Sequence, residues 1–182
     1  MTARHVLAID QGTTGTTVLV VNHDGRIVGR GYSEFPQYYP NIGWVEHNPE
    51  EIWATVERTV PAALANAGIS GGEIAAIGLT NQRETTMLWR REDGQPIHNA
   101  IVWQCRRTTD LCASLKKDGH EALFRERTGL VLDPYFSGTK IRWLLDHVAG
   151  ARQAADAGAL AFGTVDTFLL SRLTGGAVHG TD

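Results

Sequence analysis

The sequence predicts an α/β fold with a mixed sheet that begins as an antiparallel three-strand meander. Three observations carry this. Short strand-like runs come first, two of them joined by a two-residue hairpin turn. A long amphipathic helix pattern follows. Helix and strand patterns then alternate to the end of the chain, and such alternation builds layered sheets.

The opening strands are "HVLAIDQG", "TTVLVVNHDG" and "RIVGRGYSEF". Asp24-Gly25 lies between the last two and supplies the left-handed backbone that a tight hairpin needs. "NPEEIWATVERTVPAALANAG" reads as a helix with Asn48 as cap, Pro49 in the first turn and Gly68 as stop. Its apolar stripe is Ile52, Trp53, Val56, Val60, Ala63, Leu64 and Ala67. Pro61 is expected to kink it, because proline deletes an internal hydrogen bond. "IAAIGLT", from Ile74, is an apolar run that reads as a strand buried on both faces. "TTMLWRREDGQPI" reads as a hairpin arm turning at Asp93-Gly94, and "NAIVW" as a short strand. "RRTTDLCASLKKDG" and "EALFRERTG" are short helices. "SGTKIRWLLDHVAGARQAADAG" reads as one helix capped by Ser137, with Ile141, Leu144, Leu145 and Val148 on one face. "ALAFG" is the last strand, and "TVDTFLLSRLTGG" a helix closed by Gly175-Gly176.

A chain of 182 residues suffices for one domain with a sizeable core. A formal net charge of −3 argues against a nucleic-acid partner. The seven histidines are scattered singly, so none suggests a metal cluster. No apolar run is long enough to span a bilayer, and "MTARHVLAIDQGTT" lacks the apolar centre of a signal peptide. Cys105 and Cys112 fit neither zinc nor redox spacing and read as free thiols, which points to the cytoplasm.

The chemistry concentrates at strand ends. "AIDQGTTGTT" places Asp10 at the end of an apolar strand, followed at once by a Gly-Thr turn. Gly12 and Gly15 allow a close backbone approach to a ligand, and the turn's N–H groups and threonine hydroxyls suit phosphate oxygens. Asp10 is placed to hold a metal ion; Mg²⁺ takes only one or two protein carboxylates. The stretch is neither a Walker A loop nor a dinucleotide fingerprint, since it lacks both spacings. "NQRETT" sets Arg83 beside Glu84 at the mouth of a strand. "IVWQCRRT" brings Trp103, Gln104, Arg106 and Arg107. "GLVLDPYFSGTK" brings Asp133, Pro134 and Tyr135. Ligands in open α/β sheets bind beyond the carboxyl ends of strands, so these residues can converge. An arginine, a carboxylate and two aromatics suit a polyol: charged groups bond its hydroxyls and ring faces cover its carbons. Singly, each stretch also has a plainer reading. The Gly-Thr turn is a simple hairpin, Arg83-Glu84 a surface turn, Trp103 a core residue, Tyr135 a loop anchor.

"AIDQGTT", "GWVEHNPEEIW", "AAIGLTNQRETT", "NAIVWQCRRT", "GLVLDPYFSGTK" and "FGTVDTFLL" run in order from residue 8 to residue 170. Together they resemble the N-terminal domain of the FGGY carbohydrate kinase family. "NQRET" with "VWQCRRT" points to its glycerol-phosphorylating branch. The resemblance implies an actin-like (ribonuclease H-like) fold and transfer of phosphate from ATP to the terminal hydroxyl of glycerol, giving sn-glycerol 3-phosphate and ADP. It implies Mg²⁺ and a homo-oligomeric full-length protein. It assigns Arg83, Glu84 and Tyr135 to the glycerol hydroxyls, Trp103 to its carbons, Thr13, Thr14 and Gly15 to the nucleotide phosphates, and Asp10 to the metal.

Two departures from the family pattern stand out. Thr17 occupies the place where the family usually has an arginine that reaches nucleotide phosphate. The family's general base is expected beyond Asp182, because neither Asp166 nor Asp182 matches it by motif. Residues 1–182 are therefore expected to be an incomplete N-terminal domain that carries no catalytic base, with the C-terminal domain absent from this chain. The alternatives are another FGGY kinase acting on a larger sugar, and a fragment that binds without catalysis.

Overall fold

The computed structural model describes residues 4–181, so Asp182 lies outside the described residues. The chain forms two compact units. One takes the residues up to Pro36 together with Asn48–Gln82; the other takes Gln37–His47 and the residues from Arg83 onward.

The first unit holds the meander. Strands β1 (His5–Gln11), β2 (Gly15–Asn22) and β3 (Ile27–Glu34) pair antiparallel, and β5 (Ile74–Asn81) adds in parallel to β1, giving the order β3-β2-β1-β5. Gly25 turns the β2–β3 hairpin at φ 75°, as the Asp-Gly signal requires. Helix α1 (Pro49–Ala67) starts at Asn48, whose Oδ1 accepts the Glu50 N–H at 2.9 Å, and stops at left-handed Gly68. It runs unbroken through Pro61.

Helix α1 packs on β2 and β3. Its buried line is Ile52, Thr55, Val56, Thr59 and Ala63, so two threonines replace part of the expected apolar stripe. They tolerate burial because each hydroxyl donates back into the helix, Thr55 to the Ile52 carbonyl at 2.6 Å and Thr59 to the Thr55 carbonyl at 2.5 Å. Gly29 and Gly31 let the helix lie close. A Cβ at Gly29 would sit 2.4 Å from the Ala63 carbonyl oxygen, and one at Gly31 2.6 Å from that of Thr59.

Strand β5 is not buried on both faces. It forms the edge of the sheet and most of it is exposed, Ile77 at 50%. The apolar run reports an intrinsic strand former; burial depends on what packs against it, and α1 covers β2 and β3 instead.

In the second unit, β4 (Glu46–His47) pairs with β7 (Ala100–Ile101), and β6 (Met87–Arg90) pairs with β8 (Leu160–Gly163), both antiparallel. The turn at Asp93-Gly94 forms, with Gly94 at φ 70° and Arg90 bound to Asp93, yet the main partner of β6 is the distant β8. Helices α2 (Thr109–Lys117) and α3 (Glu121–Thr128) follow. The expected long helix from Ser137 is two: α4 (Ser137–His147) and α5 (Ala151–Asp156), separated at left-handed Gly150. Helix α6 (Val165–Leu173) ends before left-handed Gly175 and Gly176. Leu88, Ile101, Cys105, Leu144, Ala151 and Leu160 form the core of this unit, with Trp44 and Trp143 packed against it. Among the described residues no helix is long and apolar enough to cross a membrane.

Candidate functional site

The first unit carries the Gly-Thr turn between β1 and β2. The Gly12 N–H donates to the Gly15 carbonyl at 2.9 Å and closes the turn. Thr14 is exposed at its tip and Thr13 half-buried. Gly15 is buried: a Cβ there would meet the Tyr32 hydroxyl at 2.8 Å, so this glycine lets β3 approach the turn. Asp10 is exposed and lies opposite Thr17 on β2 and Thr80 on β5. Its carboxylate has no partner among the described residues, which also contain no group of three metal-ligating side chains. One open carboxylate beside a phosphate-type turn fits Mg²⁺, which keeps waters and shares substrate phosphates.

A buried polar chain fixes this turn from below, and nothing in the sequence pattern announces it. Gln11 is fully buried; its Oε1 accepts from the Thr16 hydroxyl at 2.7 Å, and its Nε2 donates to the Gly12 carbonyl at 3.2 Å. The Thr55 hydroxyl lies 2.5 Å from that of Thr16 and divides its single proton between Thr16 and the Ile52 carbonyl. Thr16→Val removes the shared hydroxyl and strands the buried Gln11 Oε1. The expected loss is about 1–3 kcal/mol of stability, read as a lower urea midpoint at unchanged slope. An unchanged midpoint would remove the chain from the account.

The second unit contains all four residues assigned to a polyol. Arg83 and Glu84 both adopt left-handed backbone, φ 54° and 53°. Two such residues in succession are rare outside glycine, and they persist only where the surroundings hold them. Here the hold is explicit. The Glu84 carbonyl accepts from the Thr86 hydroxyl at 3.0 Å and from Lys140 Nζ at 2.9 Å. Lys140 also donates to the Tyr135 carbonyl. Glu84 Oε2 accepts from the Ser137 N–H at 2.8 Å and from its hydroxyl at 2.6 Å.

Ser137 is thus not the helix cap. It is the first residue of α4, Phe136 occupies the cap position, and the carboxylate of Glu84 satisfies the helix start. A negative charge is favoured there by the helix dipole. Glu84 Oε1 makes no hydrogen bond among the described residues, so one carboxylate oxygen anchors the loop and the other is open. The Trp103 and Tyr135 rings meet edge-on, with centroids 6.0 Å apart. The Trp103 N–H donates to Thr85 Oγ1 at 3.3 Å. Asp133 Oδ1 accepts the Tyr135 N–H at 2.8 Å and pairs with Arg106 at 3.2 Å, which fixes the loop.

Lys140 has no exposed surface, and burial pushes its ammonium from the ordinary 10.5 down to about 8. The unfolded chain keeps this proton over a range where the folded chain has lost it. Its contribution to stability therefore rises with pH between about 8 and 10.5.

Arg107, counted among the strand-end polar groups, belongs elsewhere. Its side chain is wholly buried, pairs with Glu46 at 2.7 Å, and lies 4.0 and 4.6 Å from the Trp44 and Trp143 ring centroids. It is a structural residue of the second unit.

The family model for the FGGY family of carbohydrate kinases, N-terminal domain, matches residues 5–182. The chain belongs to the FGGY family of carbohydrate kinases. Among its FGGY relatives, the glycerol kinase of Halothermothrix orenii is 58% identical over 182 residues, all of this chain and 36% of that protein. The glycerol kinase of Methylobacterium nodulans is 61% identical over 179 residues, 98% of this chain and again 36% of the relative. The chain thus spans about a third of the length of the curated relatives it matches. The crystal structure of Plasmodium falciparum glycerol kinase with ADP superposes with a TM-score of 0.89 at 30% identity, over 96% of this chain and 35% of that one. A gluconate kinase from Lactobacillus acidophilus, 21% identical over 92% of this chain and 32% of its own, shares the FGGY fold with a TM-score of 0.81. The actin-like fold expected of an FGGY kinase is therefore the fold of this chain, meander first.

Proposed function

We propose that this chain is the leading part of the N-terminal domain of an ATP-dependent glycerol kinase and carries most of its glycerol site. The observation that carries the reading is the open Glu84 Oε1, in the unit that also fixes Arg83, Trp103 and Tyr135. Glycerol offers hydroxyls on a three-carbon stem, which suits one carboxylate oxygen, one guanidinium, one phenol and two ring edges. Arg83 and Glu84 make charge-assisted hydrogen bonds to the hydroxyls and so orient the acceptor. Trp103 covers the carbons. Asp10 holds Mg²⁺, and the turn at Thr13, Thr14 and Gly15 receives phosphate, with Gly15 acting by letting the backbone close. When bound, Mg²⁺ neutralises charge on the transferring phosphate.

The base that takes the acceptor proton lies outside residues 4–181 in this reading. Asp133 is engaged by Arg106 and the Tyr135 N–H, and Asp166 by the hydroxyls of Thr164 and Thr181. The remaining domain, homo-oligomer formation and a cytoplasmic setting complete the proposal; the buried free thiols of Cys105 and Cys112 suit a reducing compartment.

The test is ADP release by the full-length protein with Mg-ATP and each of glycerol, xylulose and gluconate as acceptor. Glycerol should give by far the highest kcat/KM. A preference for either sugar would replace glycerol by a larger substrate, and no acceptor-dependent release would remove the kinase reading.

A further inference from the structure

We propose that Lys140 is a positioning residue of the polyol site: its single ammonium, on α4, ties the backbone of Glu84 to that of Tyr135 and so sets the spacing of two groups that hold the substrate. The inference rests on the glycerol reading and deepens it.

Three observations lead here. Lys140 stands among the largest fully buried residues of the described chain. A buried lysine is disfavoured unless paired, and its nearest anchors are not carboxylates but two main-chain carbonyls, those of Glu84 and Tyr135. One of these carbonyls belongs to a residue in left-handed backbone, next to a second one, Arg83. A loop of ordinary residues does not stay in that conformation by itself. Lys140 and the Thr86 hydroxyl converge on the Glu84 carbonyl, while Ser137 takes its carboxylate. The peptide is thus oriented from within the fold, and Glu84 Oε1 is left available. The same ammonium lies 5.9 Å from the Tyr135 ring centroid. Moving or removing Nζ frees both residues together, so the loss falls on polyol affinity.

The groups facing Lys140 are the carboxylates of Glu84 and Asp133, the thiols of Cys105 and Cys112, and the Tyr135 ring. Burial raises the Cys112 thiol above its ordinary value. The ammonium is held down to about 8, hence it loses charge just above neutrality, and charge-assisted bonds to the two carbonyls weaken to ordinary ones.

The experiment compares the full-length wild type with Lys140→Met, measuring KM for glycerol and for ATP separately. The expected result is a rise of about tenfold or more in glycerol KM with ATP KM within about twofold. Equal glycerol KM in a folded variant, or parallel loss of both substrates, overturns the proposal. If the methionine variant does not fold, the wild type decides by its pH profile. Glycerol KM should rise severalfold from about pH 7 to about pH 9 while ATP KM stays level; a flat glycerol profile overturns the proposal. Failure of the underlying reading is separate and is seen first: a wild type that does not turn over glycerol refutes the substrate before any variant is made.

Discussion

Arg107→Ala should lower the stability of the protein by about 3–5 kcal/mol, the range for breaking one half of a buried ion pair. Few single substitutions cost more against a domain total of about 5–15 kcal/mol. The reason is local. The guanidinium has no exposed surface, Glu46 is its carboxylate partner at 2.7 Å, and two indole rings flank it. Its Nη1 has no hydrogen-bond partner among the described residues, so the ring faces at 4.0 and 4.6 Å compensate a donor that nothing else takes. Removing the side chain leaves the buried Glu46 carboxylate facing a cavity, with Asn99, among the described residues, still donating to it at 3.0 Å. Arg107→Met with Glu46→Leu should recover most of the loss, because hydrophobic replacement of both partners is nearly neutral. Urea denaturation followed by tryptophan fluorescence measures both. A single variant within about 0.5 kcal/mol of wild type would contradict the account.

On the proposed glycerol reading, Arg83→Ala should lower kcat/KM for glycerol about ten- to two-hundredfold in the full-length protein, the cost of one charged hydrogen bond of roughly 1.5–3 kcal/mol. ATP KM should be little affected. Alanine keeps a Cβ, so it meets the same left-handed strain at φ 54° as the arginine does. The comparison therefore reads the side chain and not the backbone. Steady-state kinetics with each substrate varied in turn is the measurement. Equal effects on glycerol and ATP would mean that the substitution disturbs the fold of the loop, and no effect would remove Arg83 from the site.

The features legible in the sequence are those with local causes. Asp24-Gly25, Asn48 and Gly68 mark turn, cap and stop because their backbone preferences act within a few residues. The four residues proposed to hold a polyol stand in motifs at strand ends, which the sequence displays directly. What the sequence concealed depends on contacts across the chain. The β5 run looks buried, and its exposure follows from where α1 packs. The break at Gly150 had a visible signal, a glycine inside "HVAGAR", outweighed by the apolar pattern on either side. Lys140 had one too. It stands four residues before Leu144, on the buried face of α4, where a charge is out of place. The double duty of Glu84 had none, because Ser137 is 53 positions away and the cap pattern read naturally without it.

Arg83, Glu84, Trp103 and Tyr135 are proposed to form a glycerol site. A crystal structure of the full-length protein with glycerol tests it most directly. Glycerol hydroxyls are expected within about 3 Å of Glu84 Oε1, the Arg83 guanidinium and the Tyr135 phenol. The carbon stem is expected against Trp103, with Lys140 still bonded to the carbonyls of Glu84 and Tyr135. Glycerol bound away from Glu84, or a Glu84 whose two oxygens are both turned to Ser137, would contradict it.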